Sequence, residues 1–136
     1  MSNVRARVFT YTGTLDTDGA LRAEDGPPLR PDDSWTPEHL LLAAMVRCVL
    51  TSLRYYARDR EVTASAKMSS TITMREEDGL YAQVDAELRL DVTIDPPLEP
   101  AELPRLLGRA EHGCFVGNSL RAKPRYRWRV NGAEVT

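Results

Sequence analysis

Cysteine occurs at two positions in this chain, Cys48 and Cys114, and each lies in a segment of helical character. Cys48 falls in TPEHLLLAAMVRCVLTSLRYY and Cys114 in AEHGCFVGNSL. Glu38 stands ten residues before Cys48, close to three turns at ~3.6 residues per turn, so a carboxylate and a thiol can share one helix face. A thiol, an acid on its face and a distant second thiol are the parts that thiol-based redox chemistry needs. There is no Cys-x-x-Cys, and the two histidines, His39 and His112, are too poorly spaced for a zinc site.

The elements that must position these groups can be read along the chain. Residues 4–12, VRARVFTYT, mix polar with β-branched and aromatic types and read as a strand. DTDG at 16–19 is a turn signal, and ALRAED returns as a second strand. GPPLRPDDS at 26–34 is loop, because three prolines and a glycine exclude regular structure. Thr36 is suited to an N-cap, Pro37 to the first helical position and Glu38 to the positive end of the dipole. LLLAAMVRCVLTSL then continues apolar on nearly every side, which predicts a long buried helix at the centre of the molecule or of a subunit interface, ending near Arg58.

Residues 63–75 and 79–94 read as a hairpin around EEDG. Leu103, Leu106, Leu107 and Ala110 recur at helical spacing, with Pro104 in the first turn and Gly113 at the end. FVGNSLRA reads as a short helix that begins at Cys114. In PRYRWRV, Tyr126, Trp128 and Val130 alternate with Arg125, Arg127 and Arg129, the pattern of a last strand whose arginines form a solvated edge. The order predicts an α+β fold: an antiparallel sheet covered by helices.

The 136 residues suit one domain, 1–136, and the net charge of -2 argues against a general role on nucleic acid or an anionic membrane. MSNVRARVFTYTG has no apolar run fit for a signal peptide, and no stretch is long enough to span a bilayer, so a cytoplasmic location is expected.

WTPEHLLLAAMVRC resembles the helix of the OsmC/Ohr family (osmotically inducible protein C and organic hydroperoxide resistance protein), with the pattern on Pro37, Glu38, Leu40, Ala43, Ala44 and Cys48. A second signature of that family falls on Ala110, Cys114 and Leu120. The resemblance covers nearly the whole chain. It implies an intertwined homodimer with two active sites at its interface, and reduction of organic hydroperoxides without a bound cofactor or metal. By the same resemblance Cys48 is the peroxidatic thiol and Cys114 the resolving one. Glu38 and an arginine hold the thiolate, and a dithiol such as a dihydrolipoyl group, free or on a lipoylated protein, regenerates the enzyme.

The chemistry has its own logic. A thiolate attacks the distal peroxide oxygen and gives a sulfenic acid and an alcohol. A free thiol has a pKa of ~8.5, so thiolate is scarce at neutral pH. Glu38 alone raises a neighbouring thiol pKa, so an arginine must sit close, holding the thiolate and bridging to the carboxylate. Arg30, in the loop before the helix, is the first choice, although its spacing to Glu38 is two residues shorter than the family's; Arg22 is the second. Arg47 points about 100° away from Cys48 on the helix and occupies a place where the family has small residues.

Two other classes fit the same residues. One is a protein of this fold that binds an apolar or thiol ligand without turnover. The other is a structural or regulatory dimer whose cysteines are inert small hydrophobes.

Overall fold

A computed structural model describes residues 5–135, which fall into an N-terminal unit ending at Trp35 and a main unit beginning at Thr36. In the N-terminal unit, β1 (Gly13–Leu15) pairs antiparallel with β2 (Leu21–Ala23). Gly19, at φ 88°, closes the turn between them, a conformation that costs a glycine little. The strand expected at 4–12 does not form. Residues 5–12 are exposed and carry no regular structure, and position 4 lies outside the described residues.

The main unit opens on α1 (Pro37–Tyr56), whose N-cap Thr36 accepts a hydrogen bond from the His39 amide. Then come the long hairpin β3 (Glu61–Met74) and β4 (Tyr81–Asp95), the helices α2 (Leu103–His112) and α3 (Phe115–Asn118), and the strands β5 (Arg125–Val130) and β6 (Ala133–Val135). Pro104 sits in the first turn of α2 and Gly113 caps its end. No described helix is long and apolar enough to cross a membrane.

The four strands lie in the order β3-β4-β5-β6. The sheet is mixed and not purely antiparallel, because β5 runs parallel to β4. A parallel neighbour needs a crossover, and α2 with α3 supplies it. β5 is therefore an interior strand; β6, folded back through Asn131 and Gly132 at positive φ, forms the edge expected of β5.

Alternation decides which side of the sheet is buried. Ala86, Leu88, Leu90, Val92 and Ile94 of β4, with Trp128 and Val130 of β5, face inward. Leu42, Met45, Val49, Leu50 and Leu53 of α1 join the same core, as do Leu106, Leu107 and Ala110 of α2 and Cys114. Within one chain α1 is buried on one face and not all round, since Arg47, Thr51, Arg54 and Tyr55 are exposed. The outer face carries Arg125, which pairs with Asp85 (2.9 Å) and Glu87 (3.0 Å), and Arg127, which pairs with Glu87 (3.1 Å).

Candidate active site

Two thiols 66 positions apart in sequence meet at the start of α3. Cys48 lies midway along α1 and is half-buried; Cys114 is fully buried as the N-cap of α3. Helix α3 begins there because Gly113 ends α2 and the Cys114 backbone is extended (φ -80°, ψ 96°), which aims its side chain at the amides of the next turn. The Gly117 N–H donates to Cys114 Sγ at 3.4 Å, and the Val116 N–H donates to Cys48 Sγ at 3.4 Å. Successive backbone donors of one turn thus hold both sulfurs. The two thiols are close enough to influence each other's ionisation, and neither is in a disulfide. Cys114 Sγ also points toward the Met45 carbonyl, 4.0 Å away on α1.

Burial pushes the Cys114 thiol up from its ordinary pKa. The nearby Tyr126 hydroxyl and the Gly117 N–H bonded to it pull the other way, and the neighbouring Cys48 adds to the rise. Tyr126 itself is displaced upward, first by burial and then by Cys114 beside it.

Two glycines make this junction possible. A Cβ on Gly113 would stand 2.6 Å from Ser52 Oγ and 3.3 Å from a Tyr56 ring carbon, so any side chain there would press on α1 where the end of α2 seats against it. A Cβ on Gly117 would stand 2.5 Å from the Tyr126 oxygen and 3.3 Å from Cys114 Sγ.

The other expected site residues have surroundings of their own. Glu38 is exposed in the first turn of α1. Sharing a helix face is not proximity: ten residues at a rise of ~1.5 Å separate Glu38 from Cys48 by about 15 Å along the axis. Arg30 is exposed and pairs with Asp18 at 3.0 Å inside the N-terminal unit. Arg22 pairs with Asp16 at 2.9 Å in the same unit and also donates to the Gly26 carbonyl. Arg47 is exposed, and its carbonyl accepts from Thr51. No group of histidine, cysteine and carboxylate side chains suited to a metal ion occurs among the described residues.

Tyr126, Gly117 and the Val116 amide were not anticipated from the sequence. One signal pointed to the first of them: the alternation in RYRWRV turns Tyr126 inward, and a phenol on the core side needs a hydrogen-bond partner. Its Trp128 neighbour finds one in Glu111, at 2.9 Å.

Residues 30–129 match a family model described as OsmC-like protein. The fold is similar to that of an OsmC-like protein of unknown function from Vibrio cholerae, at 14% identity and a TM-score of 0.73, covering 90% of this chain and 100% of that one. It is also similar to an organic hydroperoxide resistance protein from Elizabethkingia anophelis, at 20% identity and a TM-score of 0.59, covering 93% of this chain and 98% of the other. A third similar structure is an organic hydroperoxide resistance protein of Bacillus subtilis, at 17% identity and a TM-score of 0.54, with 90% and 98% covered. At these identities the likeness is one of fold. No curated protein matches the sequence.

Proposed function

Since the chain belongs to the OsmC-like family, we propose that it is a thiol-dependent peroxidase that reduces organic hydroperoxides and works as a homodimer. The observation that carries this reading is the meeting of Cys48 and Cys114 on adjacent backbone donors of α3. The half-buried thiol is the one that a peroxide can reach, and the fully buried thiol is the one kept from solvent until it is needed.

In this reading the Cys48 thiolate attacks the distal oxygen of the hydroperoxide. The O–O bond breaks, the alcohol leaves, and Cys48 becomes a sulfenic acid. The Cys114 thiolate then attacks the Cys48 sulfur, expels the oxygen as water after protonation, and closes a disulfide. An external dithiol, such as a dihydrolipoyl group, reduces it.

Glu38 and an arginine complete the site from a second copy. A carboxylate about 15 Å along the helix cannot reach its own Cys48. Two concavities of the main unit, of about 350 and 900 Å³, are lined by Arg60 and Arg109 and by Arg89 and Arg127 among others, and neither is lined by a cysteine. Ile72, Met74, Leu80, Tyr81 and Val84, toward the tip of the β3–β4 hairpin, are exposed apolar residues that a dimer would cover. Arg30 remains the proposed cation for the thiolate, and it must exchange its exposed Asp18 partner for that task.

That exchange also motivates a second reading. Arg30 and Arg22 are each already paired with an aspartate, which favours a thiol-bearing binding protein without turnover. One assay separates the two. Wild-type protein should consume an alkyl hydroperoxide with a dithiol reductant and form a sulfenic acid that dimedone traps at Cys48, while Cys48→Ser should do neither. Full peroxide turnover by Cys48→Ser refutes the mechanism, and wild-type protein that forms no sulfenate points to the binding protein.

A further inference from the structure

Tyr126 is the second residue of β5, in register with Leu88 of β4, and it stands on the core side of the sheet with Trp128 and Val130. Its ring is half-buried and its hydroxyl ends against Gly117. The phenol oxygen and Cys114 Sγ crowd the space where a residue-117 side chain would begin, 2.5 Å and 3.3 Å from that point. The absence of a Cβ there leaves the phenol oxygen facing the sulfur across the space at Gly117, where the two ionisations influence each other. Cys114 is fully buried, which withholds bulk solvent from its sulfur. A thiolate there can only accept hydrogen bonds. The Gly117 N–H already donates to it, and the Tyr126 O–H is the side-chain donor beside it.

Building on the peroxidase reading above, we propose that Tyr126 is a catalytic hydrogen-bond donor to Cys114, acting both when this sulfur attacks and when it leaves. In the first step the Cys114 thiolate attacks the sulfur of the Cys48 sulfenic acid. The S–S bond forms, the S–O bond breaks, and hydroxide departs and takes up a proton to become water. In the second step a thiolate of the external dithiol attacks the disulfide. Cys48 is half-buried and Cys114 fully buried, so the attack falls on the Cys48 sulfur. The S–S bond breaks, its electron pair goes to Cys114, and this sulfur leaves as a thiolate onto the Tyr126 hydroxyl. The second thiol of the reductant then displaces Cys48, so the reductant ends as a disulfide and both cysteines as thiols. Burial and the neighbouring Cys114 push the phenol's own ionisation upward, so it remains a donor in the alkaline range where Cys114 ionises.

Tyr126→Phe keeps the ring and removes the donor. Loss of one charge-assisted hydrogen bond corresponds to an upward shift of about one pKa unit at Cys114. Below both pKa values the thiolate fraction falls about tenfold, while the intrinsic nucleophilicity of the more basic thiolate rises about threefold. Resolution should then be about threefold slower at neutral pH and about threefold faster once both forms are ionised. A purely structural role would not produce that crossover. As a leaving group the more basic Cys114 departs more slowly at every pH.

Two measurements test this without peroxide. Ultraviolet thiolate absorbance titrates Cys114 in a Cys48→Ser background, with and without Tyr126→Phe. The midpoint should move up by about one unit. Separately, the Cys48–Cys114 disulfide is made with diamide and reduced by dithiothreitol, and reduction should be about threefold slower in Tyr126→Phe. Gly117→Ala, whose Cβ must displace the phenol, should shift both readouts in the same direction. An unmoved midpoint, unchanged reduction kinetics, or failure of diamide to join the two cysteines overturns the proposal. A wild-type chain that never forms a sulfenate, with both readouts moving as stated, overturns the peroxide chemistry and leaves the role of Tyr126 in disulfide reduction standing.

Discussion

Glu38 should serve the thiol of the other subunit. Glu38 and Cys48 lie on one uninterrupted helix, Pro37–Tyr56. Ten residues at ~1.5 Å each separate their Cα atoms by about 15 Å. With carbon–carbon bonds of ~1.5 Å, an extended glutamate reaches about 5 Å from its Cα and a cysteine about 3 Å. Adding a contact of ~3.5 Å to sulfur gives about 11 or 12 Å, which falls short of the span. A two-fold dimer removes the shortfall, because the same residues then appear twice around one axis. The perturbation is a mixture of two defective chains, Glu38→Ala and Cys48→Ser, unfolded together and refolded. Each homodimer should be defective. The mixed dimer should hold one intact site, with Cys48 from the first chain and Glu38 from the second. Random pairing makes about half of the dimers mixed, with one working site of two, so activity should recover to about 25% of wild type. The assay is alkyl hydroperoxide consumption with a dithiol, with dimer exchange verified by tagging one chain. Verified mixed dimers without recovery would refute the reasoning, as would a fully active Glu38→Ala homodimer.

Four further outcomes follow from the structure. Cys114→Ser should still form one equivalent of sulfenate at Cys48 but recycle at least tenfold more slowly, read by single-turnover against steady-state peroxide consumption; unchanged recycling removes its resolving role. Because burial raises the Cys114 pKa in the folded chain, resolution should accelerate with rising pH beyond the ~8.5 of a free thiol. The same displacement has a stability counterpart. The unfolded thiol ionises first, so the contribution is fully present below ~8.5 and is lost as pH rises toward the folded value; denaturant midpoints of wild type and Cys114→Ala across that range measure it, and parallel curves would contradict it. Leu53→Ala, which empties a fully buried position of α1, should cost about 2–5 kcal/mol in urea unfolding, and a loss below 1 kcal/mol would mean that the core there is looser than it looks.

What could be read from the chain alone was set by short-range chemistry. Thr36 and Pro37 begin α1, Pro104 and Gly113 bracket α2, and the alternation of β4 names its buried side. Each signal acts within a turn of helix or a few strand residues, and each survives in the fold. The resemblance of the Cys48 and Cys114 segments to OsmC/Ohr proteins rested on such local patterns too.

Tertiary structure decided the rest, because those outcomes depend on which distant segments meet. Alternation shows that β5 is a strand but not that it runs parallel to β4 or that β6 covers its edge. Residues 5–12 have strand-like composition, yet they form no regular strand; Thr12, at the end of the segment, bonds to Glu24. The arginines were legible as cations, but only folding shows Arg30 beside Asp18 and Arg22 beside Asp16. Periodicity put Glu38 and Cys48 on one face, whereas helical rise puts them too far apart to touch. The convergence of the two sulfurs on α3, with Tyr126 above them in the space left by Gly117, joins α1, α3 and β5. A hydrogen bond reaches about 3 Å, and no local pattern carries position at that scale across dozens of residues.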